Sequence, residues 1–292
     1  MTDHPDIPPP DPNPRPPGFA VPPSACDCHA HIFGPAGRYP YAPDRAYTPP
    51  DASLEDYRQL LTSLGLQRAV IVQPSVYGTD NRRTLDAVAA SDGDFRAVVV
   101  VDPDIADNEL DTMHREGARA VRVNSLHGGG PGLEMLTPLA RRLAHRGWHL
   151  QLLVDVSHFE SLAAIVARLP VPVVIDHMGH MDADLGVEHP GFQVLLEELS
   201  AGRVWVKLSA AYRLTRQAGY PYDDVGVLAR ALVTANPARL VWGSDWPHPR
   251  IHTSMPNDGD LLGLLADWAP DEEHRRRILV DNPASLYDFS LP

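Results

Sequence analysis

The sequence predicts an α/β protein, a (β/α)₈ TIM barrel with extra C-terminal helices and a proline-rich N-terminal arm. Eight short runs rich in β-branched residues alternate with amphipathic stretches, which is the order of a repeated βα unit. The runs are apolar almost throughout, as in AVIVQ and VPVVID, and such runs are typical of parallel strands buried on both faces. The length of 292 residues suits one such barrel, which commonly takes about 250.

The predicted elements follow one another without an internal repeat or a linker after Pro23. Strands are expected at Ala25–Ile32, Arg68–Gln73, Phe95–Val101, Ala118–Val123, Trp148–Val154, Val171–Asp176, Val204–Leu208 and Leu240–Gly243. Helices are expected at Ser53–Leu64, Thr79–Ser91, Asp107–Glu116, Gly132–Arg146, Ser157–Arg168, Gly191–Ser200 and Asp223–Asn236, and then at Asp258–Trp268 and Asp271–Val280. The closing segment Asn282–Leu286 is expected to cap the edge of the barrel. Residues 25–292 are therefore predicted to form one catalytic domain.

Composition narrows the classes of partner. Residues 1–24 are rich in proline and lack the apolar centre of an export signal, which predicts an extended or disordered arm. The net charge of −13 argues against nucleic acid and anionic membranes as partners. No apolar run approaches the ~20 residues that span a membrane. Cys26 and Cys28 lie on one predicted strand with poor geometry for a disulfide, so a location in the reducing cytoplasm is expected. The protein is expected to be a monomer or a homodimer.

Polar side chains gather where the predicted strands end, which is the rim on which barrels of this class carry their catalytic groups. They are Asp27, His29, His31, Gln73, Asp102, Arg122, Asn124, Asp176, His177, His180, Lys207, Ser209, Ser244, Asp245 and His248.

The first strand carries the sharpest signal. Its period of two puts His29 and His31 on one face, and Cys26, Cys28, Ala30 and Ile32 on the other. We expect the small apolar set to pack against the surrounding helices and the histidines to face the barrel axis. Burying both histidines beside Asp27 is costly unless they bond to one another or to a ligand. This interpretation outweighs the alternative that they are core residues.

Two other positions have competing interpretations. Asp245 ends an apolar strand in VWGSDWPHP, where it could be a catalytic carboxylate or a cap of the following loop. Lys207 alternates with Val204 and Val206, and it could lie inside the barrel near the site or in an ion pair outside it. The run DEEHRRR at 271–277 predicts a solvated helix face, since its acids come first and its bases last.

The segments DCHAHIFGP, VIDHMG and VWGSDWPHP together resemble the amidohydrolase superfamily of the amidohydrolase-2 type, and more closely its 2-pyrone-4,6-dicarboxylate lactonase branch. The resemblance spans Cys26 to Tyr287. It implies a hydrolase that opens a small carboxylated lactone. Asp245 would activate the attacking water, while His29, His31 and His177 would polarise the carbonyl.

The resemblance also implies which side chains hold the substrate, and where this chain departs from the branch. The expected substrate-binding residues are Arg122, Arg213, His180, Tyr47, Ser75, Asn124 and His248. His180 stands where the branch has another arginine, and the segment His127–Gly130 replaces a basic stretch. A tyrosine of the fifth strand is absent. With fewer cations to pair with carboxylates, we predict a substrate with one carboxylate or a less charged ring.

The expected cofactor is none or one divalent metal, Zn²⁺ or Mn²⁺. A single ion would be held by His29, His31 and Asp245, with His177 as a further ligand. Arg122 and Val154 stand where two-metal members of the superfamily have ligands, so a two-metal site is not expected. The lactonase branch works without metal, which favours a metal-free site.

Three alternatives remain open at this point. A metal-dependent non-oxidative decarboxylase of the same superfamily would use a similar set of residues. A sugar-acid lactone hydrolase or isomerase would need neutral hydrogen-bonding groups such as Asn124, Ser209 and Tyr212. A non-catalytic binding protein on the same scaffold is the third, because a fold does not prove a chemistry.

Overall fold

The computed structural model describes residues 7–126, 133–158, 162–251 and 254–290. Eight strands form one parallel sheet in chain order, so each strand pairs with the next. They are β1 Cys26–Ala30, β2 Arg68–Val72, β3 Phe95–Val99, β4 Ala118–Asn124, β5 His149–Leu153, β6 Val173–Ile175, β7 Val204–Ser209 and β8 Leu240–Gly243. Each predicted run overlaps one of these strands, with β4 and β7 each one residue longer than predicted, and the predicted (β/α)₈ barrel is confirmed.

Helices connect the strands and cover the outside of the barrel. They are α1 Leu54–Leu64, α2 Arg82–Ala89, α3 Asp107–Arg115, α4 Leu133–Ala144, α5 Leu162–Val166, α6 Pro190–Ser200, α7 Ala211–Leu214, α8 Asp223–Ala235, α9 Asp258–Gly263, α10 Leu265–Trp268, α11 Glu272–Arg276 and α12 Asn282–Tyr287. The start of α1 shows why they form where they do, since Ser53 and Asp56 make a reciprocal capping box. Gly65 then ends α1 in the left-handed region, with φ +74°.

Several predicted helices have different bounds in the structure. The stretch predicted as one helix at Ser157–Arg168 holds a short 3₁₀ turn at Val156–His158 and then α5, with residues 159–161 outside the described part of the chain. The stretch Asp258–Trp268 divides into α9 and α10, and Asp271–Val280 continues from α11 into a π-helical turn at Arg277–Asp281. Gly132, the predicted start of α4, and the segment His127–Gly130 also lie outside the described residues.

The barrel closes where β8 meets β1. The backbone N–H of Asp245 donates to the His29 carbonyl at 2.8 Å, and that of His31 donates to the Trp246 carbonyl at 2.7 Å. Gly243 makes this approach possible, because a Cβ there would lie 2.5 Å from the Cβ of His29. The seam therefore places the β1 histidines beside Asp245, although they are remote in sequence.

Strand β1 is bulged, and this corrects one prediction. Its pairing with β2 shifts register between Asp27 and Ala30. Cys26 and Cys28 belong to the cluster of apolar side chains inside the barrel, so the prediction that they pack against the helices is wrong. Ala30 and Ile32 do pack in the outer core as expected. Because the bulge adds a residue, alternation along the strand no longer assigns every side chain to the predicted face.

Asp27 is displaced from the predicted rim by the same bulge. Its carboxylate turns towards α1 and β8, accepting hydrogen bonds from the Tyr57 hydroxyl at 2.9 Å and the Ser244 backbone N–H at 2.9 Å. The His29 backbone N–H also donates to it, at 3.0 Å. Burial raises the pKa of Asp27 to about 6, although these hydrogen bonds oppose the shift. Asp27 thus bridges the two strands of the seam from outside the barrel.

The opposite end of the barrel is filled by the C-terminal segment. Leu286, Tyr287 and Phe289 pack with inward side chains such as Val70 and Trp205. Arg96 of β3 donates to the backbone carbonyl of Tyr287 at 3.2 Å. The segment predicted to cap the barrel therefore closes its amino-terminal end, away from the polar rim.

The two cysteines are free and buried, with their Sγ atoms 3.7 Å apart. This agrees with the expectation that they form no disulfide, and the cytoplasmic location inferred from them stays a prediction. Among the described residues, no helix combines the length and apolar character needed to cross a bilayer.

The N-terminal arm runs along α9. Residues 7–24 contain no helix or strand, and residues 1–6 lie outside the described part. The Asn257 side chain holds the arm: its amide donates to Asp11 at 2.8 Å and to the Asn13 carbonyl at 2.9 Å. Its oxygen accepts from the Arg15 backbone N–H at 2.8 Å and also caps α9. The arm is extended and bound, while the domain boundary at residue 24 stays a prediction.

Replacing Gly259 by alanine is expected to displace this arm. A Cβ at Gly259 would lie 1.6 Å from the Arg15 carbonyl oxygen, and backbone there must move to make room. We expect a loss of about 1–3 kcal/mol in the free energy of unfolding, together with faster cleavage of the arm by a non-specific protease. Gly37→Ala is the control, because nothing lies within 4 Å of its added Cβ. Equal stability of the two variants would contradict the contact.

Candidate active site

A cavity of about 450 Å³ opens at the carboxyl ends of the strands. This volume is in the range of small-molecule sites. The described residues that line it include His31, Tyr47, Ser75, Arg122, Asn124, His177, His180, Tyr212, Arg213, Asp245 and Arg250. The predicted polar rim therefore surrounds a real cavity, with a histidine-rich floor and several arginines around it.

Asp245 presents its two carboxylate oxygens to different partners. Oδ2 accepts hydrogen bonds from the Tyr212 hydroxyl at 2.6 Å and from Arg213 Nε at 2.8 Å. Oδ1 lies 3.5 Å from His31 Nε2 and 3.7 Å from His29 Nε2. Burial opposes ionisation, yet the Arg213 guanidinium holds the pKa of Asp245 well below its ordinary value. The carboxylate is thus ionised and anchored through Oδ2, which leaves Oδ1 for chemistry.

The hydrogen bonds of His31 fix its tautomer. Its Nδ1 lies 2.8 Å from the Val72 carbonyl oxygen, which can only accept, so Nδ1 carries the hydrogen. In a neutral ring the lone pair of Nε2 then faces Asp245 Oδ1. Two acceptors face one another there, and such a pair needs a hydrogen-bond donor or a cation between them. A water molecule or a metal ion would satisfy both.

His29 lies beneath the cavity and does not line it. Its side chain is completely buried, between Asp245 above and Asp176 below, with Nδ1 3.4 Å from Asp176 Oδ1. Burial and the nearby Lys207 ammonium lower the pKa of His29 to about 3, against the pull of Asp176. We expected His29, His31 and His177 all to face the substrate. His31 and His177 line the cavity as expected, and His29 does not.

His177 and His180 follow β6 in a turn with unusual backbone. Their φ angles are +52° and +51°, in the left-handed region that non-glycine residues seldom occupy. Asp245 has φ +64°. Such conformations cluster at functional sites. His177 Nδ1 lies 2.8 Å from the Ser209 hydroxyl, which orients the ring, and burial lowers the pKa of His177 well below its ordinary value. A neutral His177 therefore presents its other nitrogen to the cavity.

A buried charged cluster supports the floor, and it settles the position of Lys207. The ammonium lies inside the barrel, 2.7 Å from Gln151 Oε1, 3.5 Å from Asp176 Oδ1 and 3.3 Å from His29 Nδ1. Asp176 Oδ2 accepts from Arg122 Nε at 3.1 Å. Burial lowers the pKa of Lys207, and Asp176 opposes this. The alternative of an ion pair outside the barrel is wrong.

Most of the predicted substrate-binding residues line the cavity, and His248 does not. Arg122, Arg213, His180, Tyr47, Ser75 and Asn124 are all part of its wall. Burial raises the pKa of Tyr47 to about 12, so its phenol is a stable hydrogen-bond donor. His248 is completely buried behind Tyr212, with Nδ1 3.2 Å from the tyrosine hydroxyl. Direct contact between His248 and a substrate does not fit this position, because Tyr212 stands between them.

Sequence reasoning missed Asp258 and did not predict the role of Tyr212. Asp258 is buried and lies 3.1 Å from His248 Nε2, but its segment shows only the ordinary acidic start of a helix. Tyr212 was singled out only as a neutral hydrogen-bonding group. The signal in the sequence was that Tyr212 stands directly before Arg213, which was already expected in the site. In the structure both side chains donate to the same oxygen of Asp245.

Comparison with known proteins now gives the family. A family model described as Amidohydrolase matches residues 26–289. The chain belongs to the amidohydrolase family. The resemblance seen in the sequence motifs is thereby confirmed, and the matched range runs from β1 to the segment that closes the barrel.

The amidohydrolase is similar to proteins named for lactone hydrolysis. It is 43% identical to 4-sulfomuconolactone hydrolase of Hydrogenophaga intermedia, over 92% of this chain and 90% of the relative. It is 38% identical to 2-pyrone-4,6-dicarboxylate hydrolase of Comamonas testosteroni, over 94% and 93%. A solved structure from Pseudomonas putida, described as a candidate 2-pyrone-4,6-dicarboxylic acid hydrolase, superimposes with a TM-score of 0.80 at 34% identity, over 94% of this chain and 100% of that chain.

The donor set of the amidohydrolase fits one divalent ion. Among the described residues, one group of candidate ligands joins His29, His31 and Asp245, with ligand atoms within 4.8 Å of one another. A second group joins His29, Asp176 and His177. His29 Nε2 is buried without a hydrogen-bond partner, as a metal ligand would be before the ion binds. Two imidazoles and a carboxylate are ligands that Zn²⁺ accepts.

Proposed function

We propose that this amidohydrolase hydrolyses a small anionic lactone, using a water molecule activated by Asp245. The observation that carries this proposal is the approach of His31 Nε2 to Asp245 Oδ1, 3.5 Å apart at the floor of the cavity. A water placed there can donate to both and direct a lone pair at a bound carbonyl. Two relatives named as lactone hydrolases, at 43% and 38% identity, support the reaction class.

The proposed reaction is an ordinary ester hydrolysis. Asp245 Oδ1 takes a proton from the water as the water oxygen bonds to the lactone carbonyl carbon. The carbonyl oxygen becomes an oxyanion, which the Nε2–H group of His177 stabilises by donating a hydrogen bond, with Nδ1 accepting from the Ser209 hydroxyl. Collapse breaks the ring C–O bond, and Asp245 returns its proton to the departing oxygen. The product is an open-chain hydroxy acid.

His29 has a supporting role in this proposal. Its ring contacts Asp245 from below, and the cluster of Asp176 and Lys207 holds it in place. If a divalent ion is bound, His29, His31 and Asp245 would hold it, and it would supply Lewis-acid polarisation of the carbonyl. The sequence favoured a metal-free site, and metal analysis of the purified protein decides between the two.

The charges of the cavity support a substrate with one acidic group. Three arginines line the wall, Arg122, Arg213 and Arg250, and two of them, Arg122 and Arg213, already contact a protein carboxylate, Asp176 or Asp245. Part of their charge is therefore balanced before a substrate arrives. A second carboxylate on the ring would be left poorly paired. We propose a lactone with a single strong acid substituent, such as a carboxylate or a sulfonate.

A panel of lactones tests this function. We expect purified enzyme to release one acid equivalent per lactone opened, with a higher kcat/KM for muconolactone, which carries one carboxylate, than for 4-sulfomuconolactone or 2-pyrone-4,6-dicarboxylate, which each carry two acidic groups. Metal content is measured on the same preparation, and activity is followed before and after chelation. A clear preference for the dicarboxylate would contradict the proposed charge of the substrate. Release of CO₂ in place of acid would indicate a decarboxylase, and failure to open any lactone would contradict the function.

A further inference from the structure

A column of buried contacts runs from the N-terminal arm to Asp245, the general base of the proposed reaction. Asn257 binds the arm and caps α9, and Asp258 is the first residue of that helix. Asp258 Oδ1 lies 3.1 Å from His248 Nε2, and His248 Nδ1 lies 3.2 Å from the Tyr212 hydroxyl. The hydroxyl reaches Asp245 Oδ2 at 2.6 Å. Only the last of these contacts touches the cavity.

The direction of each hydrogen bond follows from the groups involved. A carboxylate only accepts, so Tyr212 donates its single hydrogen to Asp245. The tyrosine oxygen is then left as an acceptor, and His248 Nδ1 must donate to it. The other ring nitrogen, Nε2, packs 3.1 Å from Asp258 Oδ1 without hydrogen-bond geometry, so the hydrogen bond to Tyr212 is the one the ring makes in this column. The donor direction thus runs from His248 through Tyr212 to Asp245.

We propose that His248 is a positioning residue, which holds the Tyr212 hydroxyl on Asp245 Oδ2 and so aims Oδ1 at the attacking water, while Asp258 packs behind the His248 ring. This inference rests on the proposed function, since it assigns Oδ1 as the base. Asp245 has only two side-chain donors on Oδ2, Tyr212 and Arg213, among the contacts of the described residues. Loss of one lets the carboxylate rotate about its Cβ–Cγ bond. A misaimed base slows the chemical step more than it weakens binding.

The burial of the column supports a specific role. His248 and Asp258 are both completely buried, and a buried histidine beside a buried carboxylate is costly to keep in a core without a reason. His248 also has φ +62°, a strained conformation that its neighbours must maintain. The arm supplies part of that support, because it pins the start of α9 where Asp258 lies.

Two substitutions of His248 separate positioning from packing. Asparagine places an amide near the position of Nδ1 and can still donate to Tyr212. Glutamine extends towards the position of Nε2, so it faces Asp258 and loses Tyr212. We expect His248→Gln to lower kcat about tenfold with little change in KM, and His248→Asn to stay within about threefold of the wild type. A packing role predicts the reverse order, since glutamine fills more of the space.

A double-substitution cycle gives the second readout. In a Tyr212→Phe background the hydroxyl is absent, so His248→Gln should lower kcat no further. His114→Gln is the matched control, because His114 is a partly buried histidine far from the site that accepts a hydrogen bond from Trp148 at 2.9 Å. Its kcat is expected to equal that of the wild type. If Tyr212→Phe and His248→Gln lower kcat by independent factors that multiply in the double variant, the inference is wrong.

Crystal structures of the two His248 variants decide the question without a substrate. We expect the Tyr212 hydroxyl to remain within hydrogen-bonding distance of Asp245 in His248→Asn and to leave it in His248→Gln. An unmoved hydroxyl in both variants would refute the positioning role. If the hydroxyl moves as expected but no lactone is hydrolysed by the wild type, the proposed function fails and the contact stands.

Discussion

Asp245→Asn is expected to lower kcat for lactone opening about 10³-fold, the usual scale for loss of a general base. Asparagine keeps the shape of the side chain, and its oxygen can still accept from Tyr212 and Arg213 at the position of Oδ2. The group that replaces Oδ1 then becomes an amide nitrogen, which donates and cannot take a proton from water. Turnover is lost for a chemical reason, with the fold retained.

Binding should survive this substitution, which separates it from a structural effect. The arginines and hydrogen-bonding groups of the wall are unchanged, so a slowly hydrolysed lactone should bind to Asp245→Asn within a few-fold of the wild-type Kd. Calorimetry measures this. Asp267→Asn is the control, because Asp267 is an exposed carboxylate paired with Arg230 on the surface. If Asp245→Asn keeps kcat within tenfold of the wild type, another residue is the base.

The position of the site was predictable because two rules about barrels hold regardless of side-chain detail. Strand ends converge at one rim, and Asp245 and His177 each stand directly after or close to a buried run. This was enough to bring residues from β1, β6 and β8 together. The position of Lys207 inside the barrel could also have been predicted. Ser209 was assigned to the rim, and Lys207, two residues earlier on the strand, must share its face.

The alternation of side chains between the two faces of a strand could not predict the bulge in β1. A period of two treats the strand as regular, and the extra residue at Asp27–Ala30 reassigns Cys26 and Cys28 to the inside of the barrel. His29 lies beneath the cavity while His31 is in its wall, because His29 comes two residues earlier on the strand and is therefore deeper in the barrel. Local sequence carries no clear sign of the bulge, because it depends on pairing with β2 and on the contacts of Asp27 across the seam.

The supports behind the site were invisible for a different reason. Asp258 sits at the start of a helix, where an acidic residue is ordinary, and its burial depends on the arm and on His248. His248 lies in the motif that carries Asp245, and nearness in sequence suggested a substrate contact. The structure shows instead that Tyr212, from the short helix α7 that follows β7, comes between them. Such layering is a property of tertiary packing.

Asp176→Asn is expected to cost about 3–5 kcal/mol of the free energy of unfolding, because it leaves a buried cation without its partner. Lys207 is completely buried and would keep only Gln151 Oε1 as a hydrogen-bonding acceptor besides the His29 ring. Lys207→Met should cost less, since Asp176 still pairs with Arg122 at 3.1 Å. Adding Lys207→Met to Asp176→Asn should restore stability, as it removes the unpaired ammonium. Urea unfolding of the three variants measures this order.

The pH dependence of Asp176→Asn provides an independent check. Burial lowers the pKa of Lys207, and loss of Asp176, which raises it, should lower it further below the unfolded value near ~10.4. The unfolded chain then binds more protons than the native protein between these two pKa values, so stability rises with pH in that window. The deficit of Asp176→Asn relative to the wild type should therefore shrink as the pH rises towards the unfolded pKa of lysine, and that of Asp176→Asn with Lys207→Met should not. If the deficit does not change with pH, Asp176 stabilises the barrel through its hydrogen bonds. Neutralising the Lys207 ammonium would then not be its role.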